Sequence, residues 1–256
     1  MPAHSVKLRP NYLVLLRHGQ SLWNREKRFT GWTDTPLSQK GMKEARRAAH
    51  VLQAQHMTFD MCYTSLLSRA ADTVKIVLQT MGQESIPVHR SWRLNERHYG
   101  ALQGLTWWEA STRYGTKQVL IWQRHFSAKP PALTQDDPRF PGNDSQYATV
   151  DSQDLPCSES LEDTQNRLVP YWQTEIFPSL LQNRNILIIA HQNSLRSLLK
   201  YLAGISDQDI PKVTLKTAEP VICKFDEKGN FGGYSYLRWK PKIQDYAHRF
   251  LHTILP

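Results

Sequence analysis

Two stretches of this chain are apolar from end to end and stop on a histidine. Tyr12-Leu13-Val14-Leu15-Leu16 runs into Arg17-His18-Gly19, and Ile186-Leu187-Ile188-Ile189-Ala190 runs into His191-Gln192-Asn193. Neither alternates apolar with polar, so neither reads as a strand with one wet face. Short unbroken apolar runs fit strands covered on both sides, the condition of a parallel sheet between two layers of helices. In such sheets ligands bind outside the carboxyl ends of the strands. Two strands of one parallel sheet can therefore aim two histidines at the same point. Placement, as well as residue type, marks a site.

The intervening segments supply the rest of that architecture. Ser38 is an N-cap candidate with Leu37 as its staple, and Met42, Ala45, Ala49 and Leu52 recur at helical spacing to an end near Gln55. Met61 to Thr64 reads as a strand, followed by a helix with Ala70, Val74, Val77 and Met81 on one face and Gly82 as its stop. Ile86-Pro87-Val88 is a short strand candidate, Glu109 to Phe126 a helix carrying Trp122, and Val221 to Phe225 a last strand. Ser160 caps a helix with Leu161, Leu168, Trp172 and Ile176 inward and a kink at Pro170. The expected fold is α/β, a three-layer α/β/α sandwich with a mostly parallel sheet. One domain is expected over 1–256. Within it an insertion at about 105–156, broken by prolines, folds over the site, and a basic tail occupies about 226–256.

Composition narrows the partners. Lys plus Arg is 32 against 23 for Asp plus Glu, a formal charge of +9, which suits an anionic ligand. No fingerprint of a nucleic-acid-binding module accompanies it. Cys62, Cys157 and Cys223 are odd in number and far apart, which argues against a disulfide framework and for a reducing compartment. No apolar run approaches the ~20 residues that span a bilayer, and Met1 to Asn11 lacks a signal-peptide core. The cytoplasm is the expected location. His248 and His252 lie four apart with no third ligand evident, so no metal site is expected.

The residues past the strand ends suggest phosphoryl chemistry. The planar fork of Arg17 holds phosphate oxygens, a neutral His18 can accept a phosphoryl group on a ring nitrogen, and Gly19 permits close backbone approach. Arg69 sits just inside a helix, where a cation opposes the helix dipole; an anion in front of it, or a solvated surface position, would each explain it. Glu96, a carboxylate set among Arg97, His98 and two glycines, is the candidate for the proton that must move when phosphoryl moves on or off an oxygen.

From about Asn11 to Phe225 the chain resembles the cofactor-dependent phosphoglycerate mutases of the histidine phosphatase superfamily. The resemblance rests on Leu16-Arg17-His18-Gly19-Gln20-Ser21, Phe29-Thr30-Gly31-Trp32, Leu37-Ser38, Glu96-Arg97-His98-Tyr99-Gly100, Pro130-Pro131 and Asn193-Ser194-Leu195-Arg196. It implies that His18 carries the phosphoryl group, that Arg17, Asn24, Arg69 and His191 surround it, and that Glu96 gives and takes the proton. Gln20, Ser21, Thr30, Gly31, Arg97, His98, Tyr99, Arg124, Gln192 and Asn193 are the implied substrate contacts. The implied reaction interconverts 3-phosphoglycerate and 2-phosphoglycerate, primed by 2,3-bisphosphoglycerate and without a metal, in a homodimer or homotetramer. Two arginines and a protonated histidine would answer the dianion.

The chain departs from that pattern in four places. Trp107 stands where the family has a lysine, Gln123-Arg124 where it has paired arginines, Gln192 where it has glycine, and Ala218 where it has glycine. These changes are expected around the substrate's carboxylate and distal phosphate. Losing two cations there would weaken binding ~10²-fold. A phosphatase or phosphotransferase acting on another small phosphorylated metabolite, and a binding homologue with little turnover, are the competing expectations.

Overall fold

The computed structural model describes residues 12–237. Its strands form one sheet in the order β3-β2-β4-β1-β5-β6. They are β1 (Tyr12–Arg17), β2 (Met61–Thr64), β3 (Val88–Arg90), β4 (Ile186–Ala190), β5 (Pro220–Phe225) and β6 (Phe231–Tyr236). Neighbours among β1 to β4 pair in parallel, whereas β5 runs antiparallel to β1 and to β6. The sheet is thus mixed, with the two apolar strands side by side at its centre. Leu13 to Leu16 and Ile186 to Ala190 have no exposed surface, and each large side chain there contributes about 2 kcal/mol through burial.

Because side chains alternate across a strand, β1 feeds both faces. Leu13 and Leu15 pack with Leu168, Trp172, Leu180, Leu195 and Leu198, from α6 (Leu161–Tyr171), the π-helical turn Trp172–Ile176, α7 (Phe177–Leu181) and α8 (Gln192–Ala203). Val14 and Leu16 pack on the other face with Ala45, Ala49, Leu52, Val74 and Val77, from α2 (Gln39–Ala54) and α3 (Ser68–Met81). The three layers expected from the apolar runs are present.

Three local readings need correction. The helix expected over Glu109 to Phe126 is two, α4 (Trp107–Tyr114) and α5 (Thr116–Arg124), because Gly115 takes φ +83 between them. The short strand near Ile86 begins at Val88, after Pro87. The region assigned to a basic tail contributes β6, which closes the sheet against β5. The expected kink at Pro170 falls at the end of α6, where the chain continues through the π-helical turn. Arg238 to Lys242, His248, His252 and the residues before Tyr12 lie outside the described residues.

No helix among the described residues is long and apolar enough to cross a membrane. Among the same residues there is no cluster of three or more His, Cys, Asp or Glu able to hold a metal ion. All three cysteines are free, and burial pushes the Cys62 and Cys223 thiols up.

Candidate active site

Sheet register brings the two histidines together. Leu13 pairs with Ile186 and the pairing holds in step to Arg17 and Ala190, so the next residues on each strand, His18 and His191, are also neighbours. The His18 amide donates to the Ala190 carbonyl at 3.0 Å, extending the ladder by one rung. The two rings lie 4.9 Å apart, edge to face. His18 Nδ1 donates to the Gly19 carbonyl at 2.7 Å, which fixes the tautomer and leaves Nε2 bare. Nε2 of His191 shares a 2.8 Å hydrogen bond with Ser65 Oγ, at the end of β2. Three strand ends therefore converge on one point.

Gly19 is required for a reason other than the one expected. A Cβ on it would collide with the Gly41 backbone at the start of α2, and a Cβ on Gly41 would collide with Gln20. The glycine lets the strand-to-loop turn seat on a helix; the close approach is to protein.

Arg69 is fully buried and spends its guanidinium on the carbonyls of Gly31 at 2.7 Å and Thr33 at 3.0 Å. It thereby ties the loop after α1 (Leu22–Glu26) to the start of α3 while keeping its charge beside the histidines. Burial brings its pKa down to about 10, with Glu96 and Asp34 opposing. Arg17 gives Nη1 to the Leu215 carbonyl at 3.0 Å, and its buried Nε has no partner among the described residues.

Burial first, then Arg69 and Arg17, hold His18 well below the usual imidazole range. Burial, Arg69 and the neighbouring His18 do the same to His191. Both rings are neutral at pH 7. Two flanking guanidiniums in a dry site disfavour a third positive charge unless an anion offsets them, so the protonated His191 expected opposite a dianion depends on that dianion. The neutral state is the one a nucleophilic His18 requires.

Glu96 is buried beside the same cavity. Its Oε1 accepts from the amides of Arg97 at 2.8 Å and Asn193 at 3.1 Å. The second of these donors belongs to the first turn of α8, where unpaired amides favour a carboxylate. Oε2 has no protein partner among the described residues.

A cavity of about 410 Å³ joins these groups, and Arg17, His18, Asn24, Thr30, Gly31, Arg69, Glu96, Tyr99, Gln192 and Asn193 line it as expected. Arg124 does not: it is exposed on α5, one residue past Gln123, which does line the cavity. Gln20 and Ser21 serve local structure, accepting from Ser38 Oγ and capping α1. Arg97 is buried against the Trp122 carbonyl and over the Tyr99 ring. His98 is buried against Trp32, accepts from the Gly100 amide, and is pushed down to about 3 by burial. Neither Arg97 nor His98 reaches the cavity wall.

Of the four departures, Trp107, Gln123 and Gln192 line the cavity and Ala218 does not. Ala218 keeps a left-handed backbone, φ +53, and donates its amide to the Arg17 carbonyl at 2.9 Å. A residue with a Cβ pays about 1 kcal/mol for that conformation. The three tryptophans near α4 and α5 divide: Trp122 is core, Trp107 reaches the cavity, and Trp108 is 74% exposed.

Three cations on the cavity wall carried no assignment in the sequence reading. Lys27 caps the end of α1 with φ +59 and is exposed. Arg28 pairs with Glu26 and reaches Glu109. Arg196 gives Nη2 to Asn193 Oδ1 at 2.7 Å and keeps a buried Nε without a partner among the described residues. Arg196 was within sight, since it lies three residues past Asn193, on the same face of α8.

The comparisons with known proteins agree with this geometry. The model of the histidine phosphatase superfamily (branch 1) matches residues 13–139 and 134–232. A 2,3-bisphosphoglycerate-dependent phosphoglycerate mutase of Parabacteroides distasonis is 50% identical over 215 residues, covering 84% of this chain and 87% of that one. The protein of the same description from Hamiltonella defensa is 47% identical over 214 residues, covering 84% and 86%. Among solved structures, Bacillus stearothermophilus YhfR superposes with a TM-score of 0.66 at 24% identity, covering 86% of this chain and 94% of that one. A mycobacterial hydrolase gives a TM-score of 0.67 at 23% identity, covering 90% and 98%; these two likenesses speak to the fold alone. With the family model spanning most of the chain and the paired histidines where its two apolar strands end, the protein belongs to branch 1 of the histidine phosphatase superfamily.

Proposed function

We propose that the protein interconverts 3-phosphoglycerate and 2-phosphoglycerate through a phosphohistidine at His18. The observation that carries the reading is a bare, neutral Nε2 on His18 facing His191 at 4.9 Å, with Arg17, Arg69 and Glu96 on the same cavity. The relatives named as phosphoglycerate mutases support the choice of reaction.

In one half-reaction His18 Nε2 attacks phosphorus and the P–O bond to the sugar-acid oxygen breaks. That oxygen takes the proton of the Glu96 carboxyl as it leaves. In the return half the Glu96 carboxylate accepts the hydroxyl proton as that oxygen attacks phosphohistidine and the N–P bond breaks. Charge on the phosphoryl oxygens is met by Arg17, Arg69 and His191. A dianion there offsets the guanidinium repulsion and draws a proton onto His191.

The priming group fits the donors present. Two arginines that line the cavity, Arg17 and Arg196, each keep a buried Nε without a protein partner among the described residues, and Lys27 and Arg28 add charge to the wall. 2,3-Bisphosphoglycerate would supply the phosphoryl group to His18, with those four side chains and Arg69 holding its anionic groups. Lys27, Arg28 and Arg196 thereby offset the cations missing at Trp107 and Gln123. The substrate class is a small phosphorylated acid. The resemblance further supports a homodimer or homotetramer in the cytoplasm.

The test is direct. Protein incubated with 2,3-bisphosphoglycerate should acquire an acid-labile phosphoryl label that His18→Ala abolishes. With a trace of the same primer, 3-phosphoglycerate should become 2-phosphoglycerate. Release of inorganic phosphate as the dominant product would replace the mutase reading with a phosphatase one. Absence of any label would leave a binding protein.

A further inference from the structure

Glu96 lies on backbone that no sheet holds. Residues 95–99 run between two short 3₁₀ turns, Trp92–Leu94 and Gly100–Leu102, so the carbonyls of this stretch have no ladder to pair with. Buried carbonyls need donors from elsewhere. One side chain supplies them for Asn95 and Glu96.

Arg167, on α6, has a side chain only 8% exposed and turns its guanidinium onto this stretch. Nη1 donates to the carbonyls of Trp92 at 3.3 Å and Arg93 at 2.7 Å, and Nη2 to those of Asn95 and Glu96, each at 3.0 Å. Nε and Nη2 also grip Glu159, at 2.6 and 3.0 Å. Glu159 in turn accepts from the His98 amide at 2.7 Å. The Glu96 carbonyl takes a second hydrogen bond, 2.6 Å, from the indole of Trp32, whose ring lies 5.4 Å beneath the guanidinium. The fork thus pins the segment up to and including Glu96, Glu159 pins it beyond through His98, and lysine does not reproduce the planar shape that joins the two.

We infer that Arg167, with Glu159 and Trp32 completing its frame, is the positioning residue that sets the aim of Glu96. It does not line the cavity and touches no reacting atom. His18, His191 and Arg69 are held by other hydrogen bonds, and the charge of Arg167, which also disfavours a proton on His191, is kept in Arg167→Lys. The inference rests on Glu96 as the proton donor proposed above.

Leaving-group dependence separates this role from general damage. Phosphorylation of His18 by 2,3-bisphosphoglycerate expels an alkoxide that needs a proton. Phosphorylation by acetyl phosphate expels acetate, which leaves with the electron pair and needs none. Single-turnover labelling of the full-length protein with each donor should slow ~10²-fold in Arg167→Lys with 2,3-bisphosphoglycerate, as a displacement of about 1 Å does to an aligned group. With acetyl phosphate the rate should change less than ~3-fold. Trp32→Phe keeps the ring and removes only the indole donor; it should show the same asymmetry at ~5-fold, and it carries the test if the lysine variant does not fold. Equal slowing with both donors, or no slowing with either, overturns the inference. Glu96→Gln is the reference: if it shows no asymmetry the proton role of Glu96 fails, whereas asymmetry there and none in the Arg167 and Trp32 variants sinks only the positioning role.

Discussion

The cavity has two unlike walls. On one, His18, Arg69 and Glu96 are buried, with His191 behind His18, and the two histidines sit just past the ends of β1 and β4. On the other, Lys27 is exposed and Arg28, Trp107 and Gln123 are partly buried, carried by the end of α1 and by the short helices α4 and α5. The first wall is fixed by strand register, where a shift of one residue would turn every side chain to the opposite face. The second hangs on left-handed turns at Lys27 and Gly115 and on a small core of its own around Phe29, Leu102, Val119 and Trp122. A rigid sheet end holds the group that reacts, and adaptable loops select what brings it. It is on the loop wall that the two expected cations are absent, at Trp107 and Gln123, whereas the departure beside the sheet end is the uncharged Gln192.

Breaking the sheet wall should cost most. His191→Ala removes a donor facing the phosphoryl group, and kcat/KM should fall ~10²–10³-fold with KM little changed. A comparable loss confined to KM would mean that His191 only binds. The next effect is on stability. His18 and His191 are held neutral in the fold, below the usual value of 6.5, so the unfolded chain binds their protons first as pH drops. Their contribution is full above pH 6.5 and is lost on acidification, at up to about 1.4 kcal/mol per pH unit for each ring. Urea denaturation at pH 6 and pH 5 should differ by about 2–3 kcal/mol, and His191→Ala should flatten that slope; a slope unchanged in the variant would refute the assignment. The loop wall should yield the smallest effect. Lys27→Ala should raise the KM for 3-phosphoglycerate ~10-fold at constant kcat, and leave labelling by acetyl phosphate untouched. A drop in kcat instead would place Lys27 with the sheet wall and erase the contrast.

The two apolar strands made half of this legible in advance. Unbroken burial implied a parallel sheet, and a histidine after each strand implied a convergent pair; register then delivered both rings to one place. Hidden in the linear chain was everything that depends on where a helix turns its far side. Arg124 and Gln123 are adjacent, yet only Gln123 meets the cavity, because successive residues of a helix point about 100° apart. Arg167 reads as an ordinary polar position of an amphipathic helix until the carbonyls of residues 92–96 are found around it. Ala218 looked like a loss at the substrate and is instead a strained prop beneath Arg17.

What this sequence determined by itself was the layer order, the strands that hold His18 and His191, and the chemistry those residue types can perform. Those follow from local pattern, since burial on two faces and a polar residue at a strand end are properties of neighbours along the chain. What only the tertiary structure decided was the charge state of His191, the cations that line the loop wall, and the hold of Arg167 on Glu96. Each depends on groups distant in sequence whose separation is set by packing, and a hydrogen bond or a Coulomb interaction acts through that distance.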